Sequence, residues 1–259
     1  MSPTRDLAGR TAVVTGATSG LGRASAEQLA ARGARLALVA RNAAKAEAAR
    51  DEIAKATGNG AIEVVIADLE SQAAVRAAAR ELLARCDRID LLLNNAGVTN
   101  LQRETTIDGF ETTFAVNHLA YFLLTELLLP ALRETPGARI VSVASDAHKF
   151  GGEIDFDDLQ LERGYRWTKA YGRSKGANIL WTRELAQRLA GSGVPANCLH
   201  PGFVRSNLGG NNGGIGRVAL KVASLFAMSA ETAAEHVLDV CTSPRWAETS
   251  GAYMYKGRL

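Results

Sequence analysis

Short apolar runs alternate with stretches of helical spacing from one end of the chain to the other. Residues 11–15, 35–40, 61–67, 89–93, 138–144 and 194–199 are near-continuous in apolar side chains, as strands buried on both faces are. Between the third and fourth runs, Val75, Ala78, Ala79, Leu82, Leu83 and Cys86 keep an i, i+3, i+4 rhythm that lays one apolar stripe along a helix. Further helices are expected over 23–32, 109–132 and 168–189; in the last, Ala177, Trp181, Leu185 and Leu189 recur every fourth residue. This order predicts an α/β fold with a single doubly wound parallel sheet and helices on both faces, one Rossmann-type domain over 1–259. No fixed-period repeat and no long Pro/Ser/Gly linker divides it. Only 206–216, loaded with Gly and Asn and followed by an apolar stretch over 218–228, breaks the pattern. Its composition suits a substrate flap over 203–228 and an ordinary surface loop with a packing helix equally well.

Composition narrows the picture. Apolar residues make up 47% of the 259, enough for a sizeable core. Thirty basic residues against 27 acidic ones give a net charge of +3, with no dense Lys/Arg block, so no nucleic-acid partner is expected. Cys86, Cys198 and Cys241 are widely spaced with no CxxC, which suits structural thiols in a reducing compartment. Residues 1–10 lack an apolar leader and no run of ~18 apolar residues occurs, so a cytoplasmic protein without a membrane anchor is expected.

The first strand runs into Thr15-Gly16-Ala17-Thr18-Ser19-Gly20-Leu21-Gly22 and then a helix. A strand, a glycine-rich turn and a helix N-terminus form an anion site, because unpaired backbone N–H groups and the helix dipole point at a pyrophosphate. The second strand ends in Ala40-Arg41-Asn42, where a site for NAD would place an acid against the ribose 2′-hydroxyl. An arginine there pairs bidentately with a 2′-phosphate, so Arg41 points to NADP. Tyr171 and Lys175 lie i, i+4 on one helix and share a face, with Cβ atoms roughly 6 Å apart. A neighbouring cation favours tyrosinate, so Lys175 is expected to lower the Tyr171 pKa from about 10. A shift of roughly three units takes about 4 kcal/mol, which Lys175 and a nicotinamide cation together are expected to supply.

Taken together these motifs closely resemble the short-chain dehydrogenase/reductase family over almost the whole chain. Thr15–Gly22 is similar to its TGxxxGxG motif, Asn94-Asn95-Ala96-Gly97 to its NNAG and Tyr171–Lys175 to its YxxxK. The resemblance implies a catalytic set of Asn117, Ser145, Tyr171 and Lys175, with Tyr171 as general acid or base and Ser145 on the substrate oxygen. Lys175 would also bind the nicotinamide ribose, and Asn117 would hold a relay water. It further implies a dinucleotide held by Gly16, Thr18, Ser19, Gly20, Leu21, Gly22 and Arg41 at its phosphates. Asp68 and Leu69 would lie at the adenine, and Asn95, Ala96, Gly97, Pro201, Gly202 and Val204 along the nicotinamide side. No metal enters this scheme. Thr106–Glu111, Val116–Leu119 and Leu199–Ser206 resemble the retinol-dehydrogenase-like branch, which favours NADP and lipophilic aldehydes, ketones or alcohols. The segment from Leu208 to Met228 departs from that branch, so retinoid activity does not carry over. The two long helices resemble those that pair in family homodimers and homotetramers.

Other constellations compete with this one. Gly172-Arg173-Ser174-Lys175-Gly176 fits a hydrolase GxSxG, yet no buried strand precedes it. His118, His148 and His200 lack metal-ligand spacing; the first and last suit structural roles, while His148 lies three residues beyond Ser145, near a substrate pocket. Glu153, Asp155, Asp157 and Asp158 lack an EF-hand pattern. A catalytically silent NADP-binding sensor on the same fold is the alternative to an enzyme, since fold alone does not prove catalysis.

Overall fold

The computed structural model describes residues 5–204 and 227–259. Seven strands form one parallel sheet in the order β3-β2-β1-β4-β5-β6-β7. They are β1 (Thr11–Thr15), β2 (Arg35–Ala40), β3 (Ile62–Ile66), β4 (Leu91–Asn94), β5 (Arg139–Val143), β6 (Ala196–His200) and β7 (Tyr253–Tyr255). Strand order reverses beside β1, which pairs with β2 on one side and β4 on the other. At such a switch point, neighbouring loops leave in opposite directions and open a crevice at the carboxyl ends of the strands.

Alternation along the strands builds two cores. Val14, Leu38, Leu93, Val141 and Leu199 face one side, packed with α1 (Gly20–Ala31), Ile53 of α2 (Ala43–Thr57) and α6 (Ala230–Thr242). Val13, Val39, Val65, Leu92 and Ile140 face the other, under α3 (Gln72–Arg85), α4 (Thr112–Glu134) and α5 (Trp167–Arg188). A strand buried on both faces needs no polar alternate positions, which is why the runs read as continuous apolar stretches. Elements expected from the sequence appear within a few residues of their predicted ends. The seventh strand was not legible: Tyr253-Met254-Tyr255 is three residues long and lies at the sheet edge against β6.

α4 carries two features the pattern did not forecast. Ala115–Leu119 is a π-helical turn, which places Asn117 in a local widening of the helix. An 18-residue window of this helix also reaches a mean hydropathy of 1.4, long and apolar enough by composition to cross a membrane, although no unbroken apolar run occurs there. One side of it is sheet core, with Leu124, Leu128 and Leu132 almost fully buried. Cys86, Cys198 and Cys241 are free and buried, as structural thiols are. The expected flap lies outside the described residues except at its ends. There Val204 and Met228 form a parallel bridge, with Met228 N donating to Phe203 O at 2.8 Å.

Leu92, on the central strand β4, has no exposed surface. Leu92→Ala is expected to lower the unfolding free energy by about 2–5 kcal/mol in urea titration, as truncation of a packed core leucine does.

Candidate active site

The turn after β1 is shaped by close approach. Gly16 has φ +69° and a Cβ there would lie 2.8 Å from Ala96 Cα; one on Gly22 would lie 2.3 Å from both Asn95 Nδ2 and Gly16 O. Asn95 explains the crowding: its Nδ2 donates to Thr15 O at 2.9 Å, while Thr15 Oγ1 accepts from the backbone N–H groups of Asn95 and Ala96. The NNAG segment is therefore bolted to the glycine turn across the switch point. Ser19 precedes α1 without a side-chain cap bond, and Gly20 adopts φ +53°. First-turn amides left uncapped by a side chain suit an anion. Thr18 is half-buried beside them and Leu21 is buried in the core. This cradle fits the pyrophosphate of a dinucleotide.

At the next strand ends, Ala40 is buried and Arg41 is exposed. Arg41 Nη1 lies 3.6 Å from Glu70 Oε1, a partner 29 positions along that the sequence did not disclose. Asp68 is exposed, and its Oδ1 accepts from Glu70 N at 3.0 Å; Leu69 is half-buried against the second core. Asn42 caps α2 by accepting from Lys45 N. On the far side of the crevice, Pro201 and Gly202 are buried, Val204 is half-buried, and Gly202 adopts φ +106°. A Cβ on Gly202 would lie 3.0 Å from Lys256 Cε.

The expected catalytic set converges at the carboxyl ends of β4 and β5. Tyr171 and Lys175 share a face of α5, with Lys175 Nζ 5.7 Å from the centre of the Tyr171 ring. Ser145, just past β5, lies near enough to Tyr171 to act on its phenol, and Ser145 Oγ accepts from Ala147 N at 3.1 Å. Lys175 Nζ donates to Val143 O at 2.8 Å and lies 5.5 Å from the ring centre of Tyr121. Tyr121, not anticipated, is fully buried and donates its hydroxyl to Ala96 O at 2.6 Å. Asn117 accepts from Val98 N at 2.8 Å and donates to both Val98 O and Ser174 Oγ, while its own carbonyl accepts from Asn178 Nδ2.

The electrostatics differ from the simple YxxxK expectation. Burial pushes the Tyr171 phenol up to about 12, against the nearby Ser145 side chain, which lowers it. Burial likewise pulls Lys175 down to about 7. Within the polypeptide, loss of water outweighs the attraction between cation and phenolate, because desolvation penalises both charged forms. The i, i+4 placement is as expected; the lowered phenol is not.

Other residues fall into structural roles. His118 Nδ1 lies 2.9 Å from Asn178 Oδ1, and its ring packs by Phe114 and Trp181. His148 is half-buried, with Nδ1 2.8 Å from Ser145 O and its ring edge-on to Tyr253. His200 stacks at a tilt on Tyr255. Ser174 is fully buried in mid-helix and donates to Tyr171 O at 2.8 Å, so it is no nucleophile elbow. Asp155 caps a turn and Asp158 accepts from Glu162 N and Arg163 N; among the described residues no His/Cys/Asp/Glu group has metal-site geometry. Sequence reasoning also missed Gly151 and Gly172, whose backbones meet: a Cβ on Gly172 would lie 2.5 Å from Gly151 N.

A family model described as short chain dehydrogenase matches residues 10–213. This chain belongs to the short-chain dehydrogenase family. Within it the chain is 49% identical over 211 residues to retinol dehydrogenase 14 of Mus musculus, an alignment covering 78% of this chain and 63% of that protein. The chain thus spans less than two thirds of that relative's length. It is 40% identical over 253 residues to retinol dehydrogenase 13 of Homo sapiens, covering 95% of this chain and 76% of that one. A short chain dehydrogenase from Burkholderia cenocepacia, solved in complex with NADP, superposes with a TM-score of 0.75 at 27% identity over 96% of each chain. Family membership makes a nicotinamide dinucleotide the cofactor class that the glycine cradle fits.

Two outcomes follow from the packing and charge of this family member. Gly172→Ala is expected to lower the melting temperature clearly and to cost about 1–3 kcal/mol or more, since backbone atoms on both sides cannot yield. Lys175 binds its proton less tightly when folded, about 7 against an ordinary 10.5, so the folded chain holds fewer protons between those values and stability rises with pH across that window. Its cost is full below pH 7. Lys175→Met is expected to raise the urea-unfolding free energy at pH 7 by about 1–3 kcal/mol, the gain shrinking by pH 10. A loss of stability at pH 7 contradicts this.

Proposed function

We propose that this chain is an NADP(H)-dependent oxidoreductase that moves a hydride between nicotinamide and the carbonyl or alcohol carbon of a lipophilic small molecule. The observation that carries the reading is the Lys175 ammonium 5.7 Å from the Tyr171 ring on one helix face and seated on Val143 O, at the end of the strand that leads to Ser145. When bound, the cofactor supplies or accepts the hydride and, in its oxidised form, adds a positive charge to the crevice. Tyr171 then gives a proton to the substrate oxygen in reduction and takes it back in oxidation. Its raised pKa keeps the phenol protonated at neutral pH, ready to donate. Ser145 donates to the same oxygen, stabilising negative charge as it develops. Lys175, seated on Val143 O, orients the ribose and holds a cation beside the phenol. Asn117 fixes the strand-end segment at Val98 and the α5 face at Ser174, leaving the π-turn as the place for a relay water.

Arg41 supports the choice of NADP: it is exposed, basic and placed where an acid would serve NAD. The NADP complex of the Burkholderia protein supports the same choice. A lipophilic substrate accords with the retinol dehydrogenase relatives and with Phe150 and Phe203, which follow neighbouring strands β5 and β6 and are 75% and 60% exposed. Self-association through α4 and α5 into a homodimer or homotetramer is part of the proposal, favoured by exposed Phe122 and Leu180 on those helices.

The test is oxidation of NADPH and NADH with a panel of aromatic and aliphatic aldehydes and ketones. Tyr171→Phe is expected to reduce kcat/KM at least about 100-fold while cofactor binding persists. Arg41→Asp is expected to weaken NADPH far more than NADH. Cofactor binding without turnover across the whole panel would make the protein a sensor.

A further inference from the structure

Arg41 already has an anionic partner. Glu70 stands 3.6 Å from its guanidinium, half-buried where Arg41 is more than half exposed. Its position is set by the backbone: Glu70 N is held by Asp68 Oδ1 at 3.0 Å, and Ser71, which caps α3, donates its N–H to Asp68 O. These bonds fix where the Glu70 side chain leaves the backbone, beside the end of β2. Its surroundings are acidic as well. Burial raises the Glu70 carboxyl above the usual range, Asp68 and Glu104 add to the rise, and Arg41 is what opposes it. Arg41 and Glu70 thus form an ion pair at the strand ends where the adenosine ribose is expected.

We propose that Glu70 is a specificity-determining residue which stands in for the 2′-phosphate on Arg41, narrowing the preference for NADP and leaving NAD usable. The inference rests on Arg41 being the 2′-phosphate partner. A 2′-phosphate must compete with Glu70 for the guanidinium, so NADP binding gives up an ion pair that NAD binding keeps. With NAD the guanidinium keeps Glu70 and is not left unpaired. Arginine at this position alone would give steep discrimination; the Arg41–Glu70 couple gives a shallow one.

The experiment is a double-mutant cycle read by fluorescence titration of NADPH and NADH on the wild-type chain, Glu70→Gln, Arg41→Ala and the double variant. Glutamine keeps the shape and removes the charge. Glu70→Gln is expected to raise the ratio Kd(NADH)/Kd(NADPH) about five-fold, the upper end of what an exposed ion pair is worth, almost entirely by tightening NADPH. In the Arg41→Ala background the same change is expected to move the ratio less than about two-fold, because the pair is already broken. An unchanged or lowered ratio for Glu70→Gln, with Arg41→Ala still abolishing the preference, overturns the role of Glu70 and leaves the NADP assignment standing. A ratio unaffected by Arg41→Ala overturns both.

Discussion

Among the described residues the groups expected to do chemistry are confined to one rim, because the sheet is covered on both faces. Strands with Val13, Val14, Leu92 and Leu93 fully buried admit no charge along their length. Only where they end, and where the order reverses between β1 and β4, does the backbone open to solvent. The glycine turn, the NNAG segment, Ser145 and the PG turn all occupy that rim. Thr15 and Asn95 lock the first two together, so the cofactor floor and the wall of the chemical centre are one rigid piece.

Into this rim the fold inserts a fully enclosed ammonium. Lys175 is held by a single backbone carbonyl and two aromatic faces, and carries a burial penalty that no carboxylate offsets. The Tyr171 phenol beside it is half-buried, and burial raises its pKa as well. Such an arrangement gains nothing for folding, which is the usual mark of a site arranged for chemistry and supported by stability elsewhere. Tyr121 supplies part of that support by tying the floor to the lysine: one end bonds Ala96, the other presents its ring to Nζ.

Six strands and the parallel topology were legible in the amino-acid order, since buried parallel strands are long apolar runs, and the motifs were expected at the strand ends, where Asn117, Ser145, Tyr171 and Lys175 lie. β7 escaped because three residues make no pattern, and the π-turn because helix widening leaves no periodic trace. The Arg41–Glu70 couple is a tertiary contact across 29 positions. Gly151 and Gly172 lie 21 positions apart, and each is required by the other's backbone. The Tyr171 acidity went astray for a physical reason: spacing reports the neighbouring charge but not the water removed by packing.

The bridge between Val204 and Met228 fixes the two points at which the chain leaves β6 and rejoins α6. The hydrogen bond from Met228 N to Phe203 O joins those two points, so the exit from β6 and the approach to α6 are held by framework bonding. Doubling the length of such a closed excursion costs only about 0.6 kcal/mol. A connection whose two ends are anchored in this way can therefore change in length or sequence at little cost to the sheet.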